Sequence, residues 1–276
     1  MANAAGLKWE IQTSVCFFVD TTPLEPITSP NFQRTGAITD VGSIYLIRHG
    51  QASFGADNYD KLSDIGIRQA EVVGEYLAQL GVTLDRCVSG DLQRQQHTAT
   101  SALSKLHSAG IAVPDHEINA AFNEFDADAV VRALLPGILQ DEPEALDIMR
   151  NAAQHRAEFQ RLFSLLIMRW VSGEYDIAGL QSWSAFVEQV QGGLQGLLDS
   201  AQSKQNIAVF TSGGTITALL HLITGLPVAA AFELNWQIVN TSLSCLKFRG
   251  NSVQLASFNS HAHLQLLKAP QLITYR

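Results

Sequence analysis

Cysteine is scarce. Cys16, Cys87 and Cys245 are the only three in 276 residues, far apart, odd in number and never in a CxxC pair. That pattern excludes a disulfide-stapled scaffold and a cysteine-ligated structural zinc, and it fits a reducing compartment. Positive charge is short as well: 18 Lys and Arg stand against 26 Asp and Glu, a formal net charge of −8. An acidic chain of this kind argues against nucleic acid or an anionic membrane surface as partner. No apolar run approaches the length of a membrane span. The apolar run nearest the N-terminus, residues 14–19, is short for a signal core, follows Glu10 and lacks a basic n-region. The chain is therefore read as cytoplasmic, with no membrane partner. Internal repeats are absent too.

What is present describes a globular protein. Hydrophobic residues make up 46% and charged residues 16% of the chain, enough to bury a sizeable core in one large α/β domain. Residues 1–42 stand apart as an N-terminal extension. Pro23, Pro26 and Pro30 among Ser and Thr suggest an irregular arm, with residues 11–19 a candidate edge strand.

The stretch Ile44-Tyr45-Leu46-Ile47-Arg48-His49-Gly50-Gln51 organises the remainder. Four apolar residues running into polar ones suit a strand buried on both faces of a mostly parallel sheet. Such sheets bind ligands at the carboxyl ends of their strands, where Arg48 and His49 fall. An arginine fork grips phosphate, an imidazole can act as base, acid or nucleophile, and Gly50 lets the chain turn sharply. As a tripeptide alone, Arg-His-Gly is equally an ordinary strand end with two polar residues.

Downstream, Leu62, Ile65, Gln69, Val72, Val73, Tyr76 and Leu80 recur at helical spacing, with Ser63 as N-cap and Gly81 as terminator. Residues 84–89 read as a second strand leading into a helix that carries Arg94 in its first turn or so. Residues 113–118 read as a third strand. A helix start after a strand points free N–H groups at an anion. The span 126–180 is long and helical, punctuated by Pro136-Gly137 and Ser172-Gly173, and is expected to be a cap inserted over the sheet edge. Residues 206–211 form another apolar strand, followed by Ser212-Gly213-Gly214 and a helix, an arrangement suited to cradling phosphate. Alternating stretches at 243–248 and 253–258, joined by Arg249-Gly250-Asn251, predict a hairpin.

Taken in order, Arg48-His49-Gly50, Arg94, an acidic residue after the third strand and Gly213-Gly214 resemble the histidine phosphatase superfamily, the phosphoglycerate-mutase-like proteins. The segments Leu62-Ser63…Gly66…Gln69-Ala70, Ser89…Leu92…Arg94…Gln96-His97-Thr98-Ala99 and Asn240-Thr241-Ser242 add to the resemblance, which covers residues 43–276. It implies an α/β fold, a three-layer α/β/α sandwich with a mostly parallel sheet, an antiparallel edge and a helical cap. It implies His49 as the residue that takes a phosphoryl group, with Arg48, Arg94, Ser212, Gly213, Gln51 and Ser53 around the phosphate. No metal or other cofactor is implied. A general acid must protonate the leaving oxygen. Order points to Glu124, between Phe122, Asn123 and Phe125, where desolvation would raise its pKa. Glu117 is the competitor.

The chain departs from the family at Ser212, where a second histidine is usual. A serine donates one hydrogen bond but carries no charge, and losing a charged donor costs about 10²–10³ in rate. His97, His221, His261 and His263 are candidates to replace it, with His263 better placed than His221. Gln51 replaces an acidic residue and Gly55 an asparagine found in the mutases, which argues against phosphoglycerate mutase activity. The expectation is a metal-independent phosphatase acting on a small phosphorylated substrate. The alternatives are a weak or inactive phosphate-binding protein of the same fold and, below both, a mutase. Trp170, Trp183 and Tyr175 are candidates to touch the non-phosphate part of the substrate.

Overall fold

Strand β1 (Gly42–Arg48) is the hub, because its apolar side chains find cover on both faces. In this computed structural model, which describes residues 40–53, 59–152, 154–175 and 177–275, the sheet has six strands in the order β3-β2-β4-β1-β5-β6. The others are β2 (Arg86–Ser89), β3 (His116–Ile118), β4 (Asn206–Thr211), β5 (Leu243–Arg249) and β6 (Ser252–Ser260). The pairs β1/β4, β2/β4 and β2/β3 are parallel, whereas β1/β5 and β5/β6 are antiparallel.

Period-two alternation divides the sheet between two apolar clusters. Ile44 and Leu46 of β1 and Ile207 and Val209 of β4 face one. Ile47, Ala208 and Phe210 face the other. The second face is covered by α1 (Asp64–Gln79) and α2 (Gln93–Ser108), through Val73, Leu77, Leu103 and Leu106. The first face is covered by α3 (Ala127–Ile138), α4 (Ala145–Arg150), α5 (Arg156–Ser172), α6 (Trp183–Ser200), α7 (Gly213–Thr224) and α8 (Val228–Asn235). Burying Ile44, Leu46 and Ile47 contributes about 1.5–3 kcal/mol each. The result is the three-layer α/β/α architecture with an antiparallel edge. The helices of residues 127–172 share one continuous apolar core with the sheet, through Leu134, Ile138, Leu162 and Leu166.

Local chemistry accounts for the element ends. Ser63 Oγ accepts the Gly66 N–H at 3.1 Å and starts α1, and Gly81 follows that helix at φ +65°. Gly173 ends α5 in the left-handed region. The hairpin turns at Gly250, φ +52°. Helix α9 (Ala262–Leu266) and a 3-10 turn at Pro270–Leu272 close against α1.

Three expectations change. Pro136-Gly137 does not break the chain: both lie inside α3, where Pro136 and Arg132, the residue whose carbonyl loses its helical partner, are exposed. Strand β3 begins at His116 rather than 113, after Pro114, which offers no N–H to a ladder. Strand β2 begins at Arg86 rather than 84, since Asp85 pairs instead with Asn206 through its N–H and its carboxylate. The proposed edge strand at 11–19, and Gly55, lie outside the described residues. Among the described residues no helix is long and apolar enough to cross a membrane.

Candidate active site

The parallel register sets Arg48 beside Thr211 and Ser89 beside Phe210, so the ends of β1, β2 and β4 deliver their following residues to one edge. His49 leaves β1 with its N–H donated to the Thr211 carbonyl at 2.8 Å, and Asn240 Nδ2 holds its carbonyl at 3.0 Å. The turn is tight enough to require glycine twice. A Cβ on Gly50 would lie 2.4 Å from the Gly66 carbonyl oxygen, and one on Gly66 would lie 2.1 Å from that of Gln51. The first turn of α1 therefore packs backbone to backbone against the chain that presents His49, and Thr98 of α2 accepts the Gly50 N–H at 2.9 Å.

His49 is buried and its ring is committed at both nitrogens. Nδ1 lies 2.7 Å from the Gly50 carbonyl oxygen. A carbonyl only accepts, so Nδ1 carries the hydrogen and Nε2 keeps its lone pair. Arg94 Nε donates to that Nε2 at 3.3 Å. Burial, then the Arg94 charge, then the Arg48 charge push the His49 pKa well below the usual imidazole value, outweighing the Gly50 contact. The ring is thus a neutral nucleophile ringed by positive charge.

Arg94, the second residue of α2, is aimed by Asp60, whose carboxylate takes its Nη1 at 2.7 Å and the Gln93 N–H at 2.8 Å. The Tyr59 ring lies beneath the guanidinium, 5.6 Å from its centroid. Arg48 donates to the Ile238 carbonyl. A Cβ on Gly213 would sit 3.9 Å from Arg48 Nε, which puts the start of α7 against this arginine.

Glu124 is held at the N-terminus of α7. Its carboxyl accepts the Gly214 N–H at 3.1 Å and its own neighbour Phe125 N–H at 3.3 Å. The loop before it is clamped: the Phe122 carbonyl accepts from Gln95 Nε2 and Thr211 Oγ1, and the Asn123 carbonyl from Thr215 Oγ1. Burial raises the Glu124 pKa, and it outweighs the Gly214 N–H, the two arginines and the Phe125 N–H, which pull the other way. Phe125 stacks on Trp170 at 4.6 Å and lines a hollow of about 210 Å³ with Asp126, Ala129, Val130, Trp170, Gly179, Leu180 and Gln181.

The remaining candidates each have partners of their own. Glu117 sits on β3 in a two-pronged pair with Arg86, at 2.8 and 3.0 Å, which keeps its carboxyl below the usual range and ionised. Gln51 accepts the Ser63 hydroxyl at 2.9 Å through its side-chain oxygen, securing the start of α1. With Ser53 it lines a hollow whose other walls are Ala52, Leu62, Ser63 and Asp64. Ser212 is fully buried as N-cap of α7 and accepts Gln95 Nε2 at 2.8 Å.

Among the described residues His221, His261 and His263 bind partners other than His49 and its arginines. His97 is exposed on the outer side of α2, and His221 binds the Leu226 carbonyl at the end of α7. His261 binds Asn259, while His263 stacks on Tyr76 at 5.4 Å with Thr241 Oγ1 at 3.5 Å. Trp170 and Trp183 pack against each other and Phe186 in the core, and exposed Tyr175 lies under Arg169. The sequence reading missed Asp60 and Gln95. Both act through partners 27 to 117 residues away, for which no local pattern exists. Among the described residues no three His, Cys, Asp or Glu side chains gather as metal ligands.

Residues 44–261 match the model of the histidine phosphatase superfamily, branch 1. The mitochondrial serine/threonine-protein phosphatase Pgam5 of Drosophila yakuba is 30% identical over 122 residues, which are 44% of this chain and 40% of that protein. The chain thus spans about 40% of the length of the curated relatives it matches. A solved structure described as a putative alpha-ribazole-5'-P phosphatase from Escherichia coli superposes with a TM-score of 0.55 at 21% identity, over 79% of this chain and 96% of the other. Phosphoglycerate mutase from Bacillus anthracis gives 0.55 at 16% identity, over 83% and 98%.

Proposed function

The chain belongs to branch 1 of the histidine phosphatase superfamily, and from that footing we propose that it hydrolyses a phosphomonoester through a phosphohistidine on His49. The observation that carries the proposal is the pairing of an uncharged His49, its Nε2 lone pair presented beside Arg94, with a carboxyl group at Glu124 that burial keeps protonated above the ordinary range. Two groups whose environments drive their protonation in opposite directions are what an acid–nucleophile pair needs.

In the first half-reaction the Arg94 Nε–H hydrogen bond passes from Nε2 to a phosphoryl oxygen, and the freed Nε2 lone pair attacks phosphorus and forms the N–P bond as the P–O bond to the leaving group breaks. Glu124 gives its proton to the departing oxygen. Arg48 and Arg94 balance the charge spread over the equatorial phosphoryl oxygens. In the second half-reaction Glu124, now ionised, takes a proton from water as the water oxygen attacks phosphorus and releases Nε2. Matched relatives bear the names of phosphatases and of a mutase, which is consistent with this chemistry and leaves the substrate open.

The test is phosphate release from p-nitrophenyl phosphate by the purified chain, beside His49→Ala. Turnover lost in the variant and unaffected by chelator supports the proposal. Turnover retained by His49→Ala rejects it. One observation favours a second reading, a phosphate-binding protein with little turnover: Ser212 stands where a charged donor would otherwise assist the transition state. Phosphate bound with no release across pH 5–8, on several phosphomonoesters, would favour that reading.

A further inference from the structure

The segment that follows the 3-10 turn at Pro270–Leu272 meets the chain carrying His49 through two side-chain amides. One is Gln69 of α1 and the other is Asn240, just ahead of β5, and both are fully buried. Gln69 Oε1 accepts the Gln51 N–H at 2.8 Å, while its Nε2 donates to the Leu272 carbonyl at 2.7 Å and to Thr274 Oγ1 at 2.8 Å. Asn240 Nδ2 donates to the His49 carbonyl at 3.0 Å, and its Oδ1 accepts the Thr274 hydroxyl at 2.9 Å. The Asn240 N–H also donates to the Thr274 carbonyl at 2.8 Å. Backbone partners fix both amides, since a carbonyl only accepts and an N–H only donates. Gln69 therefore shows Thr274 a donor, and Asn240 shows it an acceptor. Among small side chains a hydroxyl answers both, accepting from one and donating to the other.

These contacts converge on Gly50. The His49 carbonyl belongs to the peptide before it, and the Gln51 N–H to the peptide after it. In a trans peptide the N–H and the carbonyl point opposite ways. By taking the Gln51 N–H, Gln69 turns the Gly50 carbonyl to the other side, where His49 Nδ1 donates to it at 2.7 Å. The tilt of this one peptide sets the tautomer and the direction of the imidazole.

Resting on the phosphatase reading, we propose that Thr274 is a positioning residue whose hydroxyl joins Gln69 to Asn240 and so holds the peptide that aims Nε2 of His49. Without the hydroxyl, a buried Gln69 N–H and the buried Asn240 oxygen both lose a partner, and each amide loses a restraint.

The experiment compares p-nitrophenyl phosphate hydrolysis by the intact chain, Thr274→Val, Thr274→Ala and Thr274→Ser, assayed well below the lowest of their thermal midpoints. Valine keeps the shape of threonine without the hydroxyl, and serine keeps the hydroxyl without the methyl group. Thr274→Val and Thr274→Ala lower kcat about tenfold with KM within about threefold, because a misdirected nucleophile weakens the transition state rather than substrate binding. Thr274→Ser returns to within about twofold of the intact kcat. Thr274→Val at the full rate, or Thr274→Ser as slow as Thr274→Ala, would overturn the proposal, since the effect would then follow packing. If Thr274→Val does not fold, alanine against serine makes the same comparison. A second readout needs no turnover: nitrogen NMR of histidine-labelled protein, with the His49 signals identified by their loss in His49→Ala. The Nδ1–H tautomer is expected in the intact chain and in Thr274→Ser, with the two ring shifts drawn toward each other in Thr274→Val. If the intact chain releases no phosphate at all, the phosphatase reading fails and these signals decide the role of Thr274 separately. Signals unchanged in Thr274→Val reject it.

Discussion

A histidine that attacks phosphorus must stay neutral among positive charges, and the acid that serves it must stay protonated near the same arginines. Burial achieves both, because it disfavours whichever form is charged. The His49 pKa is driven well below 6.5, so the rate should rise on the acid side of that value rather than across it. The Glu124 pKa is held above 4.5, so the rate should fall as pH climbs through that raised value. A bell-shaped kcat/KM profile is expected, its rising limb well below pH 6.5 and its falling limb above pH 4.5, and the absence of any falling limb would contradict the assignment. Glu124→Gln should remove the falling limb. It should cost about 10²–10⁴ in kcat for an alkyl phosphate and distinctly less for p-nitrophenyl phosphate, whose leaving group needs little protonation. Equal losses on both substrates would deny Glu124 the role of acid.

At the scale of elements, the site depends on two helix starts meeting strand ends. The first turn of α1 touches the chain after His49 without room for a methyl group, so Gly66→Ala should cost about 1–3 kcal/mol by overpacking. It should also lower kcat by moving His49. A denaturation midpoint and rate equal to those of the original would mean the turn has slack. These joints were only partly readable from the chain. Strand β1, strand β4, the Ser63 cap and the hairpin announce themselves through local patterns of apolar residues and turn formers. The links Asp60 to Arg94, Gln95 to Ser212 and Glu124 to Gly214 do not, because each joins residues 34 to 117 positions apart and the 90-residue separation of the last lies between them. Pro136 shows the reverse error: a local breaker signal is overruled where the proline is exposed and the flanking Leu134, Leu135 and Ile138 hold α3 in the core.

The molecule as a whole carries a net charge of −8, so attraction for an anionic substrate must come from the strand edge where Arg48 and Arg94 sit. Its acid stability should turn on His263 as well as on His49; burial of His263, with the His261 charge, lowers its pKa to about 4 despite the Thr241 contact. The unfolded chain binds that proton near pH 6.5 and the folded one does not. The contribution is therefore intact above pH 6.5 and is lost as pH falls toward 4, on the order of 3 kcal/mol in all. His263→Phe, which keeps the stack on Tyr76, should flatten the fall of the melting temperature over that interval, and an unchanged slope would place the acid sensitivity elsewhere. The most direct test of the central claim is the intact mass of the protein quenched in alkali during turnover of p-nitrophenyl phosphate. One added phosphoryl group is expected, acid-labile, mapped to His49 and absent from His49→Ala. Steady turnover with no such adduct in a rapid-quench time course, or an adduct on another residue, would contradict it.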